Sequence, residues 1–307
     1  MNSNPTISII IATYNRSGTI ERCISSILRQ SFSDLEIIVV DDGSTDNTLN
    51  VLKPYEDKIR LFKHPFNKGV CAAKNTGLNQ IKGDWFAFLD DDDELLPHAL
   101  ETMLNVPKMI DAKIDAVTCN CINTSTNEFS GIGLSGSGYI DLKDIVQKCK
   151  GEYWGITKTS LLGNKRFNED LPGVGNVLWY RIDNIARRYY LHEALRIYHM
   201  DGNDHVTQNL KTLKNKIKYY RILVRDDFYW DVLYKYNLPR YKKECFKGKY
   251  FLALDGDKQG LNAYRTRLRK ARSELSFKNI ITYSLPEIMP PGILKSIYGI
   301  TQKVKGN

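Results

Sequence analysis

Four short apolar segments near the N-terminus, each running straight into a polar turn, constrain the fold more than any other feature. Residues 6–12 read TISIIIA and open into TYNRSG; residues 36–44 read EIIVVDDGS; IRLFKH occupies 59–64; and WFAFL at 85–89 passes without a break into DDDDE. Runs of this length, rich in Ile and Val, read as buried strands. Helical spacing fills the gaps between them. From Thr19 onward Ile20, Cys23, Ile24, Ile27 and Leu28 recur at three and four residues and so share one side of a helix. SFSDL ends that helix, TDNTLNVLKPY opens a second, and CAAKNTGLNQI forms a third with Gly83 as its candidate C-cap. Strands that alternate with helices imply parallel crossovers and an open α/β sheet. Ligands of such sheets bind beyond the carboxyl ends of the strands. Tyr14, Asn15, Asp41, Asp42 and the acids from Asp90 to Asp93 all fall there.

The rest of the chain is patterned less sharply. AVTCNCIN (116–123) reads as a strand, EFSGIGLSGSGY (128–139) as a glycine-rich loop and residues 142–149 as a helix. VLWYRIDNIARRYY (177–190) has the spacing of an amphipathic helix, followed by a strand in ALRIYH. Long helices are expected from Leu210, interrupted near Pro239 and Gly248. A hydrophobic content of 42% in 307 residues is enough for a sizeable core. No apolar run approaches the ~20 residues that span a bilayer. The N-terminal MNSNPTISIIIATYN lacks the basic start of a signal peptide, so a cytoplasmic protein is expected. The six cysteines form no CxxC pair and read as reduced buried thiols, Cys119 and Cys121 on one face of a strand. The net charge of +9 is uneven: residues 208–307 hold 22 Lys/Arg and 8 Asp/Glu, the remainder 22 and 27.

The acids at 90–94 pose an electrostatic problem. Two carboxylates ~4 Å apart repel by about 4 kcal/mol at an effective dielectric near 20. A group of them at the mouth of a buried strand needs an opposing positive charge or full solvation. Mg²⁺ or Mn²⁺ would supply the charge, because hard cations favour carboxylate and phosphate oxygen. The plain alternative is a solvated loop that helps to start a helix near Pro97. An EF-hand is excluded by the acid spacing and the missing glycine. At the second acidic turn, Ser44 and Asp46 read as helix caps. For Asp42 two readings stand side by side: a cap, or an acceptor for a ring N–H or a ribose hydroxyl.

SIIIATYNR, IIVVDDGSTDNT, NKGVCAAKNTGL and FAFLDDDDELLP, in this order and spacing, resemble the nucleotide-binding half of family 2 glycosyltransferases. The resemblance implies a GT-A fold, a Rossmann-like, mostly parallel central sheet with flanking helices. It also implies a nucleoside-diphosphate sugar donor, with UDP-sugars favoured, a divalent metal (Mn²⁺ or Mg²⁺), and inversion at the anomeric carbon. Carried over by position, Ala12, Thr13 and Tyr14 line the base pocket and Asp42 takes the base-binding acid position. Asp90-x-Asp92 matches the DxD motif, with Asp92 the first choice for metal and Asp90 or Asp91 on ribose or metal. Lys74 and Asn75 stand where the family usually has Arg-Asn; lysine lacks the bidentate fork. The expected organisation is a nucleotide-sugar half at 1–105, an acceptor half at 106–207 and a basic, mostly helical extension at 208–307.

The second half departs from the family pattern. Aligned on Trp179 and Arg181, the usual Glu-Asp pair that supplies the catalytic base falls on Val174 and Gly175. Asp170, then Glu169, are the nearest upstream acids and the candidate bases. Asp183 reads as a helix-surface charge. In YHMDGNDH, His199 aligns better than His205 with a family histidine near the metal; His64, His98 and His192 have no case beyond position. Gly131, Gly133 and Gly136 spell GxGxxG, but no acid follows at the spacing of a dinucleotide site. The basic, aromatic C-terminal part suits attachment to an anionic membrane surface, with Leu294, Ile297, Tyr298 and Ile300 beside Lys295, Lys303 and Lys305 as an interfacial segment. That places the chain in the cytoplasm with access to the inner face of the membrane. Nucleic acid is not an expected partner, because no binding motif accompanies the charge. The acceptor is a glycan or lipid-linked glycan, as in surface polysaccharide assembly. The missing Glu-Asp pair leaves one rival, a nucleotide-sugar-binding sensor without turnover. A sugar-nucleotide pyrophosphorylase would need a phosphate loop that TYNRSGT does not provide.

Overall fold

The computed structural model describes residues 4–171, 176–200 and 212–271. The chain divides into two compact units, Met1–His205 and Val206–Asn307. In the first, β1 (Ile7–Thr13), α1 (Ile20–Leu28), β2 (Leu35–Asp41), α2 (Thr48–Leu52), β3 (Arg60–Lys63), α3 (Val70–Leu78) and β4 (Trp85–Phe88) follow the expected alternation. Then come β5 (Glu94–Leu95), α4 (Ala99–Met109), β6 (Ala116–Asn123), β7 (Glu128–Phe129), β8 (Gly138–Ile140), α5 (Leu142–Gln147), β9 (Tyr153–Lys158), α6 (Asn176–Asp183) and β10 (Arg188–Tyr198). All the strands join one sheet in the order β3-β2-β1-β4-β9-β6-β10-β5, with β7 on β6 and β8 on β10. Strands β3, β2, β1 and β4 are mutually parallel, and β6 and β10 run the same way. Only β9, antiparallel to both β4 and β6, interrupts them in the sheet's centre. The carboxyl ends of six strands therefore share one edge, and β9 begins there.

Strand alternation splits the core in two. Ile7, Ile9, Ile11, Ile37 and Val39 face Cys23, Ile24 and Ile27 of α1, in a layer that continues through Met103, Cys119, Cys121, Trp154 and Ile156. Ile10, Ile38, Val40 and Phe86 face the other way, onto Cys71 and Ala73 of α3 and Leu178 and Ile182 of α6. Each fully buried Ile or Val contributes about 1.5–3 kcal/mol from lost water contact. Two glycines let the layers close. A Cβ on Gly77 would lie 2.3 Å from the Ile10 side chain, and one on Gly83 would lie 2.7 Å from the Ser8 backbone. Gly83 is thus not the cap expected of it, since α3 ends at Leu78; it is where the chain passes flat against β1.

Three expectations are corrected between residues 128 and 198. The helix predicted over 177–190 stops at Asp183, and the last three residues, RYY (188–190), belong to β10. There Arg188 pairs with Ala116 and Tyr198 with Asn123 along β6. The sequence satisfies both helical and alternating patterns, and the vacant place beside β6 selects the strand. Asp183 is not a surface charge: it is buried, and Arg188 Nε donates to its Oδ1 at 2.8 Å. The glycine-rich segment holds two short strands, and the Asn120 side chain clamps the Gly131 N–H and carbonyl, both at 2.8 Å. The GxGxxG run therefore closes a loop onto β6 and opens no helix.

The second unit, within the described residues, is α7 (Leu213–Leu223), α8 (Asp227–Tyr236), α9 (Leu238–Asp255) and α10 (Lys258–Lys270). Asp226, Asn237 and Asp257 cap the last three with side-chain oxygens. Trp230, Tyr241 and Tyr264 pack edge to face at its centre, and the Tyr264 hydroxyl donates to the Tyr220 carbonyl at 2.8 Å. Pro239 sits in the first turn of α9, where its missing N–H costs nothing. Gly248 does not interrupt α9; it admits the Tyr264 ring, which a Cβ there would meet at 2.2 Å. Leu294 to Lys305, the proposed interfacial segment, lies outside the described residues, as do His205, Val174 and Gly175.

Gly77→Val is expected to destabilise the first unit by about 1–3 kcal/mol through overpacking against Ile10, read from the denaturant midpoint. Asp46 accepts from the Thr48 N–H and hydroxyl and from the Ser17 N–H, tying two edge turns together. Its desolvation works against the charge, but the Thr48 bonds outweigh it and lower the carboxyl from 3.8 to about 2. A lowered acid stabilises the fold above its unfolded pKa and loses that stabilisation as pH falls through the folded value. Asp46→Ala should therefore cost about 1 kcal/mol at neutral pH, with the gap to wild type closing as pH drops from 3.8 towards about 2.

Candidate active site

The edge gathers four turns. Ala12 and Thr13 end β1, and Tyr14, which is 39% exposed, starts the turn that follows. Asn15 then takes φ 53°, unusual for a residue with a Cβ but tolerated by Asn. Its Oδ1 accepts from the Thr45 N–H at 2.8 Å, while its own N–H donates to Ser44 Oγ at 2.9 Å. The turns after β1 and β2 are thereby locked to each other.

Asp42 reaches a third turn. Its Oδ1 accepts from His64 Nδ1 at 2.6 Å and from the Lys68 N–H at 2.9 Å, and its Oδ2 from the Gly69 N–H at 2.7 Å. His64 Nε2 pairs with the Thr76 hydroxyl at 2.9 Å. Asp42 therefore anchors the loop that leads into α3, not the start of α2. His64, passed over in the sequence, is the buried partner that orients it. A histidine at the end of a strand, beside an acidic turn on its neighbour, was the available signal.

Lys74 and Asn75 leave α3 in different directions. Lys74 Nζ lies 3.2 Å from Asp90 Oδ1 and over the Phe88 ring. Asn75 is buried and grips the segment after β9: its Nδ2 donates to the Phe167 carbonyl at 2.9 Å and to Glu169 Oε1 at 2.8 Å, and its Oδ1 accepts from the Phe167 N–H. Both candidate bases follow that grip. Glu169 is held by Asn75, and Asp170 is exposed, its N–H donating to Asn168 Oδ1.

The acidic turn after β4 is answered by cations of the chain itself. Arg196, buried on β10, donates through Nη2 to Asp90 Oδ2 at 2.9 Å and through Nε to Asp93 Oδ2 at 2.7 Å. Arg16 Nε bonds Asp91 Oδ1 at 3.2 Å, and Arg22 Nε bonds the Asp92 carbonyl at 3.1 Å. The Lys74 ammonium, followed by the Arg196 guanidinium, holds the Asp90 carboxyl well below the usual range despite its desolvation. Burial works against the Arg196 charge, but Asp90 and Asp93 outweigh it and keep the guanidinium firmly protonated. Burial pushes Asp91 up to about 7, with Arg16 and the Thr13 hydroxyl opposing. The opposing charge that the acids demanded is thus supplied partly by Arg196, over a hundred residues away in sequence, which no local pattern marked.

Asp92 differs from its neighbours. It is half-buried, and among the described residues its carboxylate has no hydrogen-bond or ion-pair partner. Asp90, whose side chain is 45% exposed, is reachable beside it. One free carboxylate and one accessible carboxylate fit a hard divalent cation that takes its other oxygens from phosphate. His199 approaches from the end of β10; its N–H donates to Asp93 Oδ1 at 2.9 Å and its Nε2 pairs with Glu94 Oε1 at 2.9 Å. It supports the turn as it stands, with its ring nitrogen committed to Glu94.

A further acid stands at the start of β9. Glu152 is exposed, yet the walls around its carboxyl desolvate it and raise its pKa, with Arg196 and Lys74 opposing and Asp90 reinforcing. It lay beside no sequence motif and was not anticipated.

Relatives of known family share this arrangement of elements. Residues 8–171 match the Glycosyl transferase family 2. The chain is 39% identical over 225 residues to a GalNAc(5)-diNAcBac-PP-undecaprenol beta-1,3-glucosyltransferase of Campylobacter jejuni, covering 70% of this chain and 71% of that one. It is 28% identical over 257 residues to the uncharacterized glycosyltransferase YibD of Escherichia coli, covering 82% of this chain and 63% of that one. Among solved structures, Staphylococcus aureus TarS 1-349 in complex with UDP superposes with TM-score 0.57 at 17% identity, over 88% of this chain and 92% of that one. The mannosyltransferase PcManGT of Pyrobaculum calidifontis, in complex with GDP-Man and Mn²⁺, does so with TM-score 0.54 at 16% identity, over 98% of this chain and 89% of that one. Those two likenesses establish the GT-A fold. With the family match spanning more than half of its length, the chain belongs to glycosyl transferase family 2.

Proposed function

We propose that this glycosyltransferase moves a sugar from a UDP-sugar to a hydroxyl of a lipid-linked glycan, with inversion and with a divalent cation. The observation that carries the reading is the convergence of Asp42, Lys74, Asp90 and Asp92 from β2, α3 and the turn after β4 on one sheet edge. Tyr14, exposed beside Ala12 and Thr13, offers a ring face for the base. Asp42 accepts its ring N–H by exchanging one of the loop amides it now holds. The Campylobacter relative is named for an undecaprenyl-diphosphate-linked glycan, which supports an acceptor of that class.

The chemistry asks little covalent work of the protein. Charge develops on the departing diphosphate, and Lys74 and Arg196 already concentrate positive charge at Asp90. Mn²⁺ or Mg²⁺, held by Asp92 and Asp90, would act there as a Lewis acid on the phosphate oxygens. His199 joins that set only by giving up Glu94. Asn75 holds Glu169 and so sets the wall of the edge next to the sugar. Inversion follows from an acceptor hydroxyl that attacks opposite the leaving diphosphate, with a carboxylate taking its proton.

No helix among the described residues is long and apolar enough to cross a membrane. Residues 212–271 nevertheless hold 16 Lys/Arg against 6 Asp/Glu. Near-surface Lys or Arg gains about 1 kcal/mol each at an anionic bilayer, which suits work on a lipid-linked acceptor.

With Mn²⁺ and UDP-glucose or UDP-GlcNAc, UDP release is expected to fall by at least about 100-fold in Asp92→Asn, as loss of several kcal/mol of charge stabilisation requires. A protein that binds UDP but releases none from either donor would instead be the sensor. In flotation with phosphatidylglycerol vesicles the full chain should rise with the lipid at low salt and be released at high salt; absence from the lipid fraction at every salt level removes the membrane contact.

A further inference from the structure

Glu152 precedes the first residue of β9, at the edge where the parallel strands end. Tyr153 pairs with Asn120 on β6, and Cys121 on β6 pairs with Arg196 on β10. Glu152 lies one residue before this paired row, and the Ser130 hydroxyl bridges its carbonyl to that of Cys121, which holds Glu152 beside the β6 end that carries Arg196's partner. Trp154 and Ile156 face the α1 side of the sheet, so strand alternation puts Glu152 on that side too, with Arg196. The Trp154 ring N–H donates to the Phe88 carbonyl at 2.8 Å, fastening this strand end to the residue from which the acidic turn departs. The Ser130 hydroxyl donates to the Glu152 carbonyl at 2.9 Å and fixes its backbone. The carboxylate itself has no hydrogen-bond partner among the described residues.

The other acids of the edge are engaged. Asp91 and Asp93 are buried against arginines, Asp90 holds Lys74 and Arg196, and Glu169 is gripped by Asn75. Asp92 is the acid that fits a cation. Glu152 alone among these combines exposure, an unengaged carboxylate and a place at the start of β9 on the same edge. We propose that Glu152 faces the acceptor hydroxyl and takes its proton, in the role that the sequence pattern sought at Asp170 or Glu169. The hydroxyl oxygen bonds to the anomeric carbon as the bond from that carbon to the diphosphate oxygen breaks. That electron pair leaves with the nucleoside diphosphate, and the hydroxyl proton passes to a Glu152 oxygen. This rests on the transferase reading given above.

The test uses the full chain with Mn²⁺, UDP-glucose and GalNAc(5)-diNAcBac-PP-undecaprenol, and reads UDP release; where that acceptor is not used, the slow release with water as acceptor is read instead. Glu152→Gln keeps shape and removes the base. Its kcat is expected to fall by about 100-fold or more, with the UDP–Mn²⁺ affinity measured by calorimetry unchanged and Glu152→Asp retaining part of the rate. Wild-type kcat in Glu152→Gln, or a loss confined to Asp170→Asn, overturns the assignment while leaving the transferase intact. A wild-type chain that binds UDP and Mn²⁺ yet releases no UDP in either assay overturns both.

Discussion

Arg196 is the interaction on which the first unit's functional edge depends. Its guanidinium is buried between Asp90 and Asp93, at the end of a strand that enters the sheet late in the chain. An isolated guanidinium in that place would be costly, and so would the two carboxylates without it. Together they join the part of the sheet built by β1 to β4 to the part built by β6, β9 and β10. Removing one partner leaves the other charged and buried, so the turn after β4 holds its shape only when β10 is in register.

That cluster also sorts the acids by role. Of the consecutive acids at 90–94, Asp91 and Asp93 point inward and meet Arg16 and Arg196, while Glu94 joins β5 and pairs with His199. Asp90 and Asp92 remain towards the open side. The segment is a tight turn, closed by the Asp93 N–H donating to the Asp90 carbonyl at 3.1 Å, so that Asp90 and Asp93 both reach Arg196 while the Asp92 carboxylate at the corner stays unengaged. Charge is thus balanced by Arg16 and Arg196 at Asp91 and Asp93 and by Lys74 and Arg196 at Asp90, and among the described residues only the Asp92 carboxylate of this group has no cation of the chain beside it.

The same division separates anchoring from chemistry around α3. Asp42 holds the loop before the helix, His64 holds Asp42, and Asn75 holds the loop after β9. None of these bonds requires a ligand, and in the proposed donor complex only Asp42 would exchange one of them. Preorganised polar groups of this kind stabilise developing charge without reorganising at the moment of reaction. Lys74 is the exception on the helix, its ammonium shared between Asp90 and the Phe88 ring, where a phosphate can compete for it.

The sequence alone determined the first four strands, their parallel order of connection and the acids at their ends. Its Ile and Val runs and helical repeats are local patterns, readable a few residues at a time. It also resembled the right family, because TYN, DDGS and DDDDE carry their spacing within single turns. Tertiary structure decided the rest. Whether 188–190 is helix or strand depended on a free edge at β6, not on its own pattern. Asp183 became a buried partner only because Arg188 folds back onto it. Arg196 and His64 join the site through pairings between segments separated in sequence, and such pairings are settled by sheet register and burial, which no window of residues contains.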